Sequence, residues 1–183
     1  MNIKEVYQQA MPELKKKFNY SNTMAVPRLI KATVNVGVGR HAKDKAYIEA
    51  VVKAVAGITG QQPILVRAKK SVSAFKVRQG DIVGIMATIR GQRMYDFVSK
   101  LVGVTFPRIR DFRGIDPKAV DQYGNIAVGF KEQIAFPEVS ADKVDMIHGL
   151  EVCLHTSAQT HQEGLALFEM LGFPFKKEHN NNK

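Results

Sequence analysis

A chain of 183 residues with 27 lysines and arginines against 17 aspartates and glutamates carries a formal net charge of +10 and a pI near 9.7, which points to a polyanionic partner. Its hydrophobic fraction of 45% and charged fraction of 24% are ordinary for a globular protein. A chain this long buries roughly 70% of its unfolded surface without a disulfide or metal staple. The lone Cys153 excludes an intramolecular disulfide and a zinc knuckle; its apolar-periodic setting predicts a core thiol in a reducing cytoplasm. The first residues lack the apolar segment of a secretory signal, and no run of about 18 apolar residues occurs, so no membrane partner is expected.

The charge is polarised. Residues 1–113 hold 21 cations and 7 acids, whereas residues 114–183 hold 6 and 10, so one end is expected to face the polyanion.

In chain order, Ile3, Val6, Tyr7, Ala10, Met11, Leu14 and Phe18 recur at helical spacing, with Pro12 expected to kink or restart the helix. Residues 19–27 connect to a strand over Leu29–Gly37 that alternates Ile30, Ala32, Val34 and Val36 on a buried face with Lys31, Thr33 and Asn35 on a polar one. Ile48, Val51, Val52, Val55 and Ile58 then form a helix face that Gly60 closes. Strands follow over 63–68 and 82–90, the second with Val83, Ile85, Ala87 and Ile89 on one face and Met86, Thr88 and Arg90 on the other.

Between these two strands lies the densest charge in the chain. Residues 66–80 include Arg67, Lys69, Lys70, Lys76 and Arg78 with no acid, and small residues (Ser71, Ser73, Ala74) surround the single aromatic Phe75. Such a loop suits close approach to a phosphate backbone, where each neutralised phosphate releases counterions; the alternative is a mobile, solvated hairpin.

Met94, Phe97, Val98, Leu101 and Val102 define the next helix, and the aperiodic basic stretch 106–117 reads as a loop in which Asp111 and Asp116, with Asp121 beyond it, form turns. Tyr123-Gly124-Asn125 is a turn before a strand on Ile126, Val128 and Phe130. Residues 142–147 read as a short helical turn, and Leu150, Val152, Leu154 and Thr156 alternate as a last strand. Thr160 and Glu163 make a capping box opening a final helix that carries Leu165, Phe168 and Leu171 and ends at Gly172. Residues 1–175 thus form a single domain, and 176–183, with three consecutive asparagines, a disordered tail. The order αβαββα then ββα predicts an α+β layer with helices on one sheet face.

No constellation looks catalytic. Gly37-Val38-Gly39-Arg40-His41-Ala42 formally matches a dinucleotide fingerprint, but the strand before it is polar on one face where a doubly wound sheet is apolar on both. His41, His148, His155, His161 and His179 show no metal-ligand spacing, so neither a metal nor a cofactor is expected. The positive case pairs a hydrophilic sheet face with the basic loop. Lys31, Thr33, Asn35, Thr88 and Arg90 can hydrogen-bond to phosphates and ribose hydroxyls. With no aromatic to stack bases, that face predicts a structured RNA read by shape and 2′-hydroxyls. The alternatives are a face covered by the rest of the chain, a non-specific basic RNA-binding protein or chaperone, and, least favoured, a dinucleotide-binding enzyme.

Eight motifs in register from the first helix to Phe175 carry a resemblance. They are Val34-Asn35-Val36-Gly37-Val38-Gly39, Ile58-Thr59-Gly60-Gln61, Ala68-Lys69-Lys70-Ser71, Arg90-Gly91-Gln92-Arg93-Met94-Tyr95, Phe106-Pro107-Arg108 with Arg110-Asp111-Phe112-Arg113-Gly114, Lys131-Glu132-Gln133, Phe136-Pro137-Glu138 and Leu171-Gly172-Phe173-Pro174. Together they resemble the bacterial large-subunit ribosomal protein L5 family.

The resemblance implies an antiparallel sheet backed by helices, binding 5S rRNA in the central protuberance of the cytoplasmic ribosome beside large-subunit rRNA and neighbouring large-subunit proteins. It implies rRNA contacts from the sheet face at Asn35, Gln61 and Thr88, and from Lys31 and Arg90, with Thr33 on the same face. It implies contact of the loop (Lys69, Lys70, Ser71, Ser73, Phe75, Lys76 and Arg78) with the peptidyl-site tRNA. A bridge to small-subunit protein S-thirteen would fall near Arg110, Asp111 and Arg113 and near residues 136–142. The chain departs from the family pattern at Gln62, Ala74 and Gln79, where lysine, glycine and glutamate are usual.

Overall fold

The computed structural model describes residues 2–42, 44–139 and 146–176. Helix α1 (Ile3–Lys17) is capped by Asn2, whose side chain accepts from the Lys4 amide, and buries Ile3, Ala10 and Leu14. It runs unbroken through Pro12, in place of the expected kink or restart. A proline there forfeits its own amide bond and crowds the carbonyl four residues back, a local cost that the packed apolar stripe on either side offsets. Strand β1 (Leu29–Gly37) leads through a short 3₁₀ turn to α2 (Lys45–Thr59), which is N-capped by Asp44 and closed by Gly60 in the left-handed conformation, φ +65°. Strands β2 (Ile64–Arg67) and β3 (Ile82–Ile89) follow.

Helix α3 (Gly91–Lys100) continues into a π-helical turn over Leu101–Thr105 and a short α4 (Phe106–Arg108), so helix extends into the stretch expected to be loop. Pro107 explains the widening. A proline ring clashes with the carbonyl four residues back in a regular α-helix, and the π turn, in which the Phe106 amide reaches Leu101 O, moves that carbonyl aside. Strands β4 (Ile126–Phe130) and β5 (Leu150–Thr156) and helix α5 (His161–Met170) complete the chain, and α5 opens on the complete Thr160–Glu163 capping box. The helical turn expected at 142–147 and the tail expected at 176–183 fall almost wholly outside the described residues.

The five strands form one antiparallel sheet in the order β2-β3-β1-β5-β4. Its inner face, with Ala32, Val34, Val36, Ile85, Ala87, Ile89, Ile126, Leu150, Val152 and Leu154, is buried beneath the helices, α2 against β1 and β3 and α3 against β1, while α1 packs on α3 and α5. An aromatic cluster fills the end behind β4. Phe106 lies 5.5 Å from Phe112, 6.0 Å from Phe130 and 5.8 Å from Phe173, and Phe136 lies 5.2 Å from Phe130. Four phenylalanine-bearing stretches of the sequence therefore converge on one core.

Two bulges adjust the alternation. Leu29 opposes Thr156 but Lys31 opposes His155, so Ile30 is an extra residue; it is 49% exposed rather than buried as its parity predicts. The bulge lets Leu29 and Ala32, three residues apart, both face the core. Opposite, Val66 faces Gly84 and Arg67 faces Ile82, leaving Val83 as the extra residue where the chain turns away from the sheet. Val83 is accordingly half-buried, short of the core position its parity gives it.

Candidate nucleic-acid interface

Side chains directly opposite each other in an antiparallel ladder share a face. The registers therefore assemble the outer face rung by rung. One rung reads Ala127, Cys153, Thr33, Thr88, and the next Gly129, Glu151, Asn35, Met86, Ile64. On one side of these lies Lys31 opposite His155, and on the other Gly37, Gly84 and Val66. Asn35, Gly37, Ala127, Gly129 and Glu151 are exposed, so no part of the described chain covers this face. Its rungs mix small residues (Thr33, Thr88, Cys153, Ala127 and Gly129) with Asn35, Glu151 and Met86, and the small ones let a flat ligand come close to the backbone. No aromatic lies on these rungs.

Four of the six residues expected to bind rRNA, Lys31, Thr33, Asn35 and Thr88, are gathered here. Arg90, exposed, ends β3 as the N-cap of α3. Gln61 lies off the sheet on the turn from α2 to β2, half-buried, its backbone held by the Thr59 hydroxyl, which lies 3.1 Å from Gln61 O and 2.7 Å from Val55 O.

The sequence reading missed the half of the face that β4 and β5 supply. The signal was present, because once Leu150, Val152, Leu154 and Thr156 face inward, Glu151, Cys153 and His155 must face outward. Cys153 is therefore not the core thiol expected; it is a partly exposed floor residue whose pKa is raised by burial and by Glu151. The pKa of His155 is lowered by burial and by Lys31, against an opposing pull from Asp121.

The basic stretch between β2 and β3 is a paired hairpin arm, as a long basic β-hairpin loop would be. Ala68 N donates to Asp81 O at 2.8 Å and Gly80 N to Ala68 O at 3.0 Å; further out Val72 and Val77 exchange backbone bonds of 2.9 and 3.2 Å. The tip is Ser73-Ala74-Phe75-Lys76, a 3₁₀ turn that closes on Lys76 at φ +54°. Ala74 is not at positive φ, so alanine meets no backbone strain at the tip. Ser71 Oγ accepts from Gln79 N and the Asp81 carboxylate from Arg78 N, so the arm's one acid serves its own backbone. Lys69, Lys70, Lys76 and Arg78 are exposed, and Phe75 at the tip is 79% exposed. The only ion pair among the described residues, Lys100–Glu138, lies elsewhere.

Arg110, Asp111 and Arg113 are exposed on the segment after α4, where half-buried Ile109 and Phe112 and buried Ile115 alternate with them. Ile115 N donates to Pro174 O at 2.8 Å and Lys176 N to Ile115 O at 2.9 Å, and these bonds fasten the segment's far end. The three aspartates act as turn formers: Asp111 adopts φ +54°, Asp116 caps the Lys118 amide, and Asp121 accepts from Tyr123 N and Asn125 N at 2.8 Å each. The candidate dinucleotide loop leads to α2 from a strand antiparallel to both neighbours, which is not the parallel crossover such a site requires.

Comparison with known proteins decides the family. Residues 22–78 match the family described as ribosomal protein L5, and residues 82–175 match the description of that family's C-terminus. Large ribosomal subunit protein uL5 of Halothermothrix orenii is 49% identical over 93% of this chain and 95% of its own length. The chain belongs to the ribosomal protein L5 family. The uL5 proteins of Symbiobacterium thermophilum and Trichodesmium erythraeum are 49% and 45% identical over 95% and 94% of this chain and 97% and 96% of theirs. Membership makes the protein a structural one, not an enzyme. The two matched segments interleave in one sheet, with β1 and β2 from the first and β3, β4 and β5 from the second.

Proposed function

We propose that this L5-family protein is a structural constituent of the large ribosomal subunit that holds 5S rRNA on its open sheet face. The observation that carries the reading is the uncovered face itself, which sets Lys31, Thr33, Asn35 and Thr88 among small residues with Arg90 just past β3, on a chain with a net charge of +10. A floor without aromatics suits the shallow groove of an RNA helix better than splayed single-stranded bases.

The arm is a second surface, with exposed Lys69, Lys70, Lys76, Arg78 and Phe75, and in this reading it touches the peptidyl-site tRNA. The exposed charges of Arg110, Asp111 and Arg113, with residues 136–142, form the bridge toward small-subunit protein S-thirteen. Large-subunit rRNA and adjacent large-subunit proteins are the remaining partners.

The test separates the surfaces. Asn35→Leu with Thr88→Leu should abolish selective 5S rRNA binding in free solution. Alanine at Lys69, Lys70, Lys76 and Arg78 should leave that binding selective and weaken tRNA contact in assembled ribosomes. Loss of 5S selectivity in the arm variant alone would show that the two surfaces are wrongly divided.

A further inference from the structure

We infer that Lys31 and His155 together form a proton-dependent phosphate site on the RNA-facing sheet surface, so that RNA binding by this chain is coupled to uptake of a proton at His155. The inference rests on the reading of that face as an RNA surface and adds a contact on β5 that the motifs do not indicate.

The geometry comes from the β1–β5 register. It runs without a break from Asn35 opposite Glu151, through Thr33 opposite Cys153, to Lys31 opposite His155 on the outer face, and the bulge at Ile30 lies just beyond that pair. Opposed side chains in an antiparallel pair start about 5 Å apart at Cβ, a spacing that one phosphate can bridge with an ammonium on one side and an imidazolium on the other. Both residues are half-buried, so each is partly desolvated and held near the sheet.

The groups facing His155 from each side set its proton affinity. Burial disfavours the imidazolium most, Lys31 on β1 disfavours it further, and Asp121 before β4 favours it. Glu151 and Cys153 follow on β5 itself, and Arg90 stands at the end of β3 beyond Lys31. Asp121 does not compete for the site, since its carboxylate is engaged by Tyr123 N, Asn125 N and Asn125 Nδ2. In the free protein His155 is therefore biased toward the neutral form. A phosphate placed against Lys31 removes the main charge that opposes protonation and supplies one that favours it, so the imidazolium and the phosphate stabilise each other. None of His41, His148 and His161 lies on a strand, so His155 is the histidine of this face among the described residues.

The test is affinity for 5S rRNA and for a length-matched unrelated RNA at pH 5.8 and 7.8, across a salt series, using full-length wild type, His155→Gln and Lys31→Gln. Wild type should bind 5S rRNA about threefold to tenfold more tightly at the lower pH than His155→Gln does, which corresponds to a rise of up to about one pKa unit on binding. Its salt dependence should also steepen at low pH by roughly one phosphate contact, a change absent in His155→Gln. Lys31→Gln should weaken binding at both pH values. The imidazole resonances of His155, followed by NMR, should titrate at higher pH in the complex than in the free protein. Equal pH responses in wild type and His155→Gln, or an unmoved titration, would overturn the inference while leaving the RNA face intact. Loss of 5S preference by wild type at both pH values would instead overturn the reading of the face.

Discussion

Gly164, in the first turns of α5, is the point where that helix meets the turn preceding β4. A Cβ at residue 164 would stand 2.2 Å from Gly124 Cα, 2.6 Å from its carbonyl oxygen and 2.8 Å from its carbonyl carbon. All three atoms are backbone, so no rotamer change can relieve the contact. The nearest is about 1.2 Å short of the 3.4 Å at which ordinary contact begins. Gly124 cannot retreat easily, because its φ is +74° and its carbonyl accepts from the Thr156 hydroxyl at 2.8 Å. Overpacking of this kind costs about 1 to 3 kcal/mol. Alanine is otherwise the better helix former by about 1 kcal/mol, so the contact must reverse the intrinsic sign. Gly57 supplies the control, since it lies inside α2 with nothing within 4 Å of an added Cβ. In urea unfolding, Gly57→Ala should gain about 0.5 to 1 kcal/mol and Gly164→Ala should lose about 1 to 2. A Gly164→Ala protein as stable as wild type, or more so, would refute the packing argument.

Phe106→Ala removes the ring shared by Phe112, Phe130 and Phe173 and should cost about 3 to 5 kcal/mol in the same assay, with faster amide exchange at residues 109–116. Burial works to raise the pKa of Glu163, but hydrogen bonds from Tyr20 and from the Gln159 and Thr160 amides prevail and hold it down. A depressed carboxylate stabilises above its unfolded pKa and loses that contribution as pH falls through its folded value. Glu163→Gln should therefore be less stable than wild type by about 0.3 to 1 kcal/mol at pH 7, and the gap should narrow steadily as pH falls through the acidic range, read by a series of urea midpoints. Replacing residues 69–79 by a two-residue turn should leave thermal stability nearly unchanged, since none of them belongs to the buried core, and a large drop in Tm would show that the arm supports the sheet.

The elements that sequence disclosed best are those whose periodicity agrees with their surroundings. Val34 and Val36 in β1, Ile85, Ala87 and Ile89 in β3, the Thr160–Glu163 box and the Gly60 stop each follow from local pattern and stand where the pattern puts them. Misplacements arise where one extra residue shifts parity. Ile30 and Val83 sit at bulges, and which strand neighbours which, the information that makes a bulge, is non-local. Pro12 misleads for a related reason, since packing of the flanking apolar stripe holds together what local rules count as a break, and α4 escapes notice because three residues are too few to show a period. The face was half legible. Lys31, Thr33, Asn35 and Thr88 were found through their own strands, while Cys153 and His155 join them only through pairing with β1. The arm's charge was plain in the sequence, but its pairing through Val72 and Val77 depends on two residues that carry no turn signal.

The central claim is that the open sheet face selects 5S rRNA, and competition between 5S rRNA and a length-matched structured RNA, repeated across a salt series, tests it most directly. Selectivity of about a thousandfold or more that persists as salt weakens both complexes is the predicted result for wild type, collapsing toward unity in the Asn35→Leu, Thr88→Leu protein. Parallel, steeply salt-dependent curves for the two RNAs with wild type would contradict it, leaving net charge as the only source of binding.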